Sequence, residues 1–120
     1  MREIKFRAWD EITGIMITPG DVGITPHISF CYLEDIFKQE NFIFQQFTGL
    51  KDKNGKDIYE GDVVKFKIIF TSGTDEVVFN EGRFELKNIS MGGEKRSVAN
   101  INNYCEVIGN IYENPELLTN

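Results

Sequence analysis

Apolar and polar residues alternate along most of this chain with a period of two, the pattern of strands that bury one face. Near the start, Ile4, Phe6 and Ala8 alternate with Lys5, Arg7 and Trp9, which predicts a strand with the first three turned inward. A turn signal over residues 10–14 lets residues 15–18 return as its hairpin partner. Pro19, Gly20, Gly23 and Pro26 mark residues 19–27 as a loop. Residues 28–32 read as a strand, and Leu33, Ile36 and Phe37 give residues 33–39 the spacing of a helical turn. Residues 42–47 are apolar and aromatic and read as a strand. After them Asn54-Gly55 supplies the two positive-φ positions of a type I′ turn, so that residues 46–50 pair back on residues 57–59.

The second half is more regular. Val64, Phe66, Ile68 and Phe70 alternate with Lys65, Lys67 and Ile69. Ser72-Gly73-Thr74 reads as a turn, residues 77–79 as a strand, and Asn80-Glu81-Gly82 as the next turn. Phe84 and Leu86 then alternate with Arg83, Glu85 and Lys87. Met91-Gly92-Gly93 opens a charged loop, residues 97–101 form a short strand, and residues 104–112 the last one, with Cys105, Val107, Gly109 and Ile111 on one face. The expected fold is all-β: a small SH3-like barrel over about residues 60–112, with additional N-terminal strands packed against it. Asn114 and Pro115 then start a short C-terminal helical turn that Leu117 and Leu118 pin to the body.

Composition agrees with a packed domain. The chain has 120 residues, 41% of them hydrophobic, with ten Phe. That length suits one domain over residues 1–120 with a core of its own. The net charge is −6, with seven Lys and Arg against ten Asp and Glu in residues 1–60, and six against nine in residues 61–120. Neither half is basic, which weighs against non-specific nucleic-acid binding and against an anionic membrane surface. No apolar run is long enough to span a bilayer, and the first ten residues lack the apolar stretch of an export signal, so a cytoplasmic location is expected.

Few residue sets suit chemistry. Cys31 and Cys105 are far apart, no CxxC occurs, and His27 is the sole histidine, so a zinc site lacks ligands and no cofactor is expected. His27 and Cys31 lie four residues apart, roughly 13 Å on a strand, too far for a nucleophile and its base. Asp57, Glu60 and Asp62 form a carboxylate cluster able to hold a divalent cation or do acid–base work. Glu60-Gly61-Asp62 also sits where a strand leaves a turn, where Gly takes a positive φ and Asp accepts from backbone amides; that structural role outweighs catalysis. Lys5, Arg7 and Trp9 share one strand face and Lys65 and Lys67 another, which gives a basic strip beside an indole for single-stranded nucleic acid if the faces adjoin. The tyrosines Tyr59, Tyr104 and Tyr112 suit either a protein surface or a core edge with a wet hydroxyl.

Three stretches together, MREIKFRAWD, QFTGLKDKNGKDIYEGDVV and EVIGNIYENPELL, resemble the YopX family of small phage and prophage proteins. The resemblance touches both ends and the centre of the chain. It implies an SH3-like all-β fold, a phage or prophage origin and a bacterial host cytoplasm. It carries over no activity and no site residue. The expected function is therefore a non-enzymatic binding module for a host or phage protein, with Trp9, Tyr59 and Tyr112 as the contact residues. A single-stranded nucleic-acid module is the second reading, and a metal-dependent enzyme on Asp57, Glu60 and Asp62 the third. The apolar strand at residues 42–47 invites self-association.

Overall fold

The computed structural model describes residues 4–18, 41–68, 71–91 and 94–118. The expected loop, strand and helical turn between residues 19 and 39 lie outside them, as do His27 and Cys31. The chain forms two compact units, divided between Gln46 and Phe47.

In the first unit, β1 (Phe6–Asp10) lies between β2 (Ile15–Ile17) and the first half of β3 (Phe42–Lys51), all antiparallel. The β1–β2 hairpin is built on Asp10. Its Oδ1 accepts from the Ile12 N–H at 2.9 Å and from Asn41 Nδ2 at 3.0 Å, and its Oδ2 from Thr13 Oγ1 at 2.8 Å. The bonds from Asn41 and Thr13 hold this carboxyl below its ordinary range, against the opposing push of burial. The inward face of β1 differs from the expected one. Ile4 is 71% and Phe6 42% exposed, while Arg7, Ala8 and Asp10 are buried. β1 has neighbours on both sides, and the Arg7 guanidinium becomes tolerable inside because its Nε donates to Oε1 of its register partner Gln45 at 2.9 Å.

The second unit holds the larger core. The second half of β3 pairs with β4 (Asp57–Tyr59). A five-stranded antiparallel sheet then follows, built from β5 (Asp62–Ile68), β6 (Thr71–Asn80), β7 (Arg83–Met91), β8 (Glu94–Ser97) and β9 (Cys105–Asn110) in the order β8-β7-β6-β5-β9. Its inner face carries Val64, Phe66, Val77, Leu86 and Cys105, and Ile58 joins them from β4. Asp75 also lies fully buried on β6. Beyond the last β6–β7 register pair, Val77 and Leu86, its carboxylate takes the Asn88 N–H at 2.9 Å and Asn88 Nδ2 at 3.0 Å. A side chain thus continues the ladder where a backbone carbonyl would otherwise serve.

Three local expectations are corrected. Ser72-Gly73-Thr74 is not a turn but part of β6, because the three residues pair in register with Lys67, Phe66 and Lys65 of β5. Residues 97–101 are not one strand. Val98–Ile101 forms a single helical turn, α1, followed by a 3₁₀ turn at Asn102–Tyr104. Val98 and Ile101 are spaced i, i+3 and are both buried, which suits a helical turn better than a pleat. The type I′ turn is not at Asn54-Gly55, where only Gly55 has a positive φ. Asp52 N–H bonds Lys56 O and Gly55 N–H bonds Asp52 O, so the loop has three residues with glycine in the left-handed position.

The two-residue turn of paired positive φ falls instead at Glu81 (φ 51°) and Gly82 (φ 81°), between the partners Asn80 and Arg83. Glutamate fits poorly there, and asparagine enters this region more readily. Glu81→Asn should raise stability by about 0.5–1 kcal/mol. An unchanged or lower midpoint in thermal unfolding would show that the turn is not strained.

At the C-terminus a second 3₁₀ turn, Pro115–Leu118, folds back on β9. Gly109 makes this fit: a Cβ there would sit 2.6 Å from Asn114 Oδ1 and 2.7 Å from Leu117 Cδ1. The Asn114 side chain reaches back to the Asn110 N–H at 3.4 Å, towards the strand that precedes it.

Candidate functional site

Strand β5 alternates between two faces. Val64 and Phe66 point into the core, which leaves Lys65 and Lys67 exposed on the other side. The antiparallel register puts Thr74 of β6 opposite Lys65 and Ser72 opposite Lys67. Two ammonium–hydroxyl couples thus follow one another along the sheet. Glu106 of β9 lies opposite Lys65 on the other flank. Tyr104, 58% exposed, stands at the end of the 3₁₀ turn that leads into β9.

A third lysine arrives from the β3–β4 loop. The Lys53 N–H donates to Cys105 O at 3.0 Å, and Oδ2 of the neighbouring Asp52 accepts from the Val107 N–H at 2.9 Å. The same carboxylate closes its own loop, with Oδ1 accepting from the N–H groups of Asn54 and Lys56. Burial alone pushes the Asp52 carboxyl up, but the N–H groups of Val107, Lys56 and Asn54, with the Lys56 charge, outweigh it and hold the group below its ordinary range. Asp52 thereby fixes the loop to β9 as an ionised anchor.

Lys53, Lys65, Lys67 and Tyr104, with Ser72 and Thr74, line a groove of about 400 Å³ that also reaches Phe66 and Gly73. Three lysines stand against one glutamate, a local charge of 3 − 1 = +2 on a chain of net −6. Elsewhere three cations are paired: Lys51 with Asp57 at 2.7 Å, Arg83 with Glu85 at 3.1 Å and Lys87 with Glu76 at 3.8 Å. Among the described residues no ion pair occupies the three groove lysines, and no hydrogen bond joins one lining side chain to another. The groove therefore offers charge and an aromatic face to a ligand, without the nucleophile–base contact of a covalent catalyst.

The residues singled out from sequence fare unequally. Lys65 and Lys67 come together as expected, and Tyr104 supplies the aromatic neighbour. Lys5 and Trp9 are half-buried in the first unit, and Arg7 is buried there instead of facing solvent. Tyr59 is 7% exposed and packs on Phe47 with ring centroids 5.5 Å apart, a core role and not a surface one. Tyr112 is half-buried just after β9.

The carboxylates go separate ways. Asp57 takes Lys51, and the buried Asp62 uses Oδ2 to accept from the Tyr59 N–H at 2.7 Å across the tight turn at Gly61 (φ 87°). Among the described residues no group of three His, Cys, Asp or Glu is placed to hold a metal ion. Cys105 is a free, buried thiol. Burial and the Asp52 charge push it up to about 11, which leaves it unreactive.

Over residues 5–119 the chain matches the family described as YopX protein, a span that runs through both units. Among solved structures, the crystal structure of protein EF1440 from Enterococcus faecalis is similar with a TM-score of 0.67 and 26% identity, over 98% of this chain and 99% of that one. The X-ray structure of YopX from Bacillus subtilis is similar with a TM-score of 0.58 and 22% identity, again over 98% and 99%. At that identity the second likeness speaks for the fold alone. No curated protein matches the chain.

Proposed function

Because the chain belongs to the YopX protein family, we propose that it is a non-enzymatic binding module of phage or prophage origin, acting on a host or phage macromolecule in the bacterial cytoplasm. The five-stranded sheet with its helical turn before the last strand is read as an SH3-like half-barrel, a reading that the strand order and the antiparallel pairing support. The resemblance to phage proteins supports the origin. Among the described residues no helix is long and apolar enough to cross a membrane.

The observation that carries the binding reading is the groove. Its lysines are exposed or at the rim, no described carboxylate pairs with them, and they are positioned by regular strands and an anchored loop. Such a surface recognises anionic groups. The aromatic trio Trp9, Tyr59 and Tyr112 gives a protein contact less support, since Tyr59 is buried.

The test is a panel of polyanions, namely polyphosphate, polyglutamate and a single-stranded oligonucleotide, presented at low salt to the wild type and to Lys65→Glu/Lys67→Glu. At least one should bind the wild type and lose about tenfold or more in affinity on charge reversal. Both positions are exposed, so the fold should be unchanged by circular dichroism. Failure of every polyanion to bind the wild type removes the reading.

A further inference from the structure

The groove's geometry is more selective than its charge. Lys65 and Lys67 lie two residues apart on one strand, roughly 7 Å. Each has a hydroxyl directly across the ladder, Thr74 and Ser72. Ammonium and hydroxyl donors are the groups that hold phosphate oxygens, and here they repeat along a line. Beside that line stands Tyr104, 58% exposed. An acidic peptide would use the ammonium groups but has no planar group to place on the tyrosine at each step. A single strand of nucleic acid brings both: a regular file of phosphates and bases free to stack. A duplex keeps its bases stacked on each other and leaves the ring unused.

The chain's net charge of −6 does not forbid this. Charges further away than about 8–10 Å are screened at physiological ionic strength, whereas the groove lysines reach the ligand directly. The acidic remainder slows approach at low salt.

Resting on the proposed role of the groove, we infer that its ligand is single-stranded nucleic acid, with Lys65–Thr74 and Lys67–Ser72 on successive phosphates, Lys53 on a third, and one base stacked on Tyr104. Three phosphate contacts give an affinity that falls with a log–log salt slope of about −2.

The experiment is fluorescence anisotropy with labelled oligothymidylate and oligouridylate of about eight nucleotides, a length in the range of small β-barrel sites. Both are read across a salt series, with labelled polyglutamate alongside. The inference expects binding of at least one oligonucleotide with a slope near −2. Lys65→Ala/Lys67→Ala should move the slope to about −0.7. Tyr104→Ala should weaken binding about tenfold and leave the slope unchanged. All three positions are exposed, so these variants keep the fold. Binding of polyglutamate but of neither oligonucleotide overturns the nucleic-acid inference and leaves the binding module standing. Oligonucleotide binding that is indifferent to all three substitutions places the ligand elsewhere and overturns it as well. No binding by any of these probes overturns the inference, and if polyphosphate fails as well the binding module falls with it.

Discussion

Replacement of Phe66 by alanine is expected to destabilise the second unit by about 3–5 kcal/mol, the usual cost of emptying a large aromatic site in a packed core. Among the described residues Phe66 is the largest of the fully buried side chains, at 1% exposure. It belongs to the main apolar cluster, and its ring lies against Gly73 of the paired strand. Collapse around the cavity is restricted because its neighbours sit on paired strands. Thermal unfolding should show a midpoint lowered by roughly 10–20 °C. A drop of only a few degrees would mean that the ring is not packed as described. The ring points to the core and away from the lysine face, so the substitution is read in stability.

The second large effect concerns Asp52. Asp52→Asn keeps one acceptor oxygen but turns an amide –NH₂ towards the Val107 N–H, donor against donor. The expected loss is about 2 kcal/mol, seen as a midpoint lowered by roughly 8 °C. The dependence on pH gives a sharper signature. The folded-state carboxyl is held below its ordinary value, so it binds a proton less readily than in the unfolded chain. Its contribution is fully present above the ordinary carboxylate pKa near 3.8 and is lost as pH falls below that value towards the depressed one. Wild-type stability should therefore drop on acidification below about pH 4 more steeply than that of Asp52→Asn. Asp10, depressed by its bonds to Asn41 and Thr13, adds to the slope in both proteins and does not affect the comparison. Equal slopes for the two would show that Asp52 is not an ionised anchor.

Where periodicity and burial coincide, the sequence is legible. The alternation of Val64 and Phe66 with Lys65 and Lys67 reads directly as one buried and one wet face, and the structure bears it out. β1 shows where this logic stops. Its pattern puts Phe6 inside and Arg7 outside, but whether a strand is central depends on partners that local pattern does not contain. A guanidinium bonded to Gln45 is acceptable in a place where its charge alone argues for solvent. Turn chemistry is legible as a list of residues and less so as geometry. Gly55, Gly61 and Gly82 all adopt positive φ, but the pair of positive-φ positions went to Glu81-Gly82 and not to Asn54-Gly55, because ladder register chose the loop length. Gly73 misleads for the opposite reason. It continues β6 opposite Phe66 and bends nothing.

The groove was half legible. Lys65 and Lys67 follow from the strand alternation alone. Lys53 could not be placed, since it reaches β9 through a contact made over more than fifty residues of chain. Tyr104 was one tyrosine among several, and only its position on a 3₁₀ turn beside Asn102 and Asn103 exposes it. Ser72 and Thr74 were hidden by the expected turn.

The anchoring of the β3–β4 loop has one more consequence. β9 is the last strand of its sheet, and a bare last strand invites a second molecule to add its own. Here the Cys105 carbonyl and the Val107 N–H, both directed away from β5, are already taken by the Lys53 N–H and the Asp52 carboxylate. The loop occupies the positions that a strand from another copy would need. Disruption of Asp52 should therefore leave a protein that is not only less stable but also stickier, with association through an opened sheet margin as the form its failure takes.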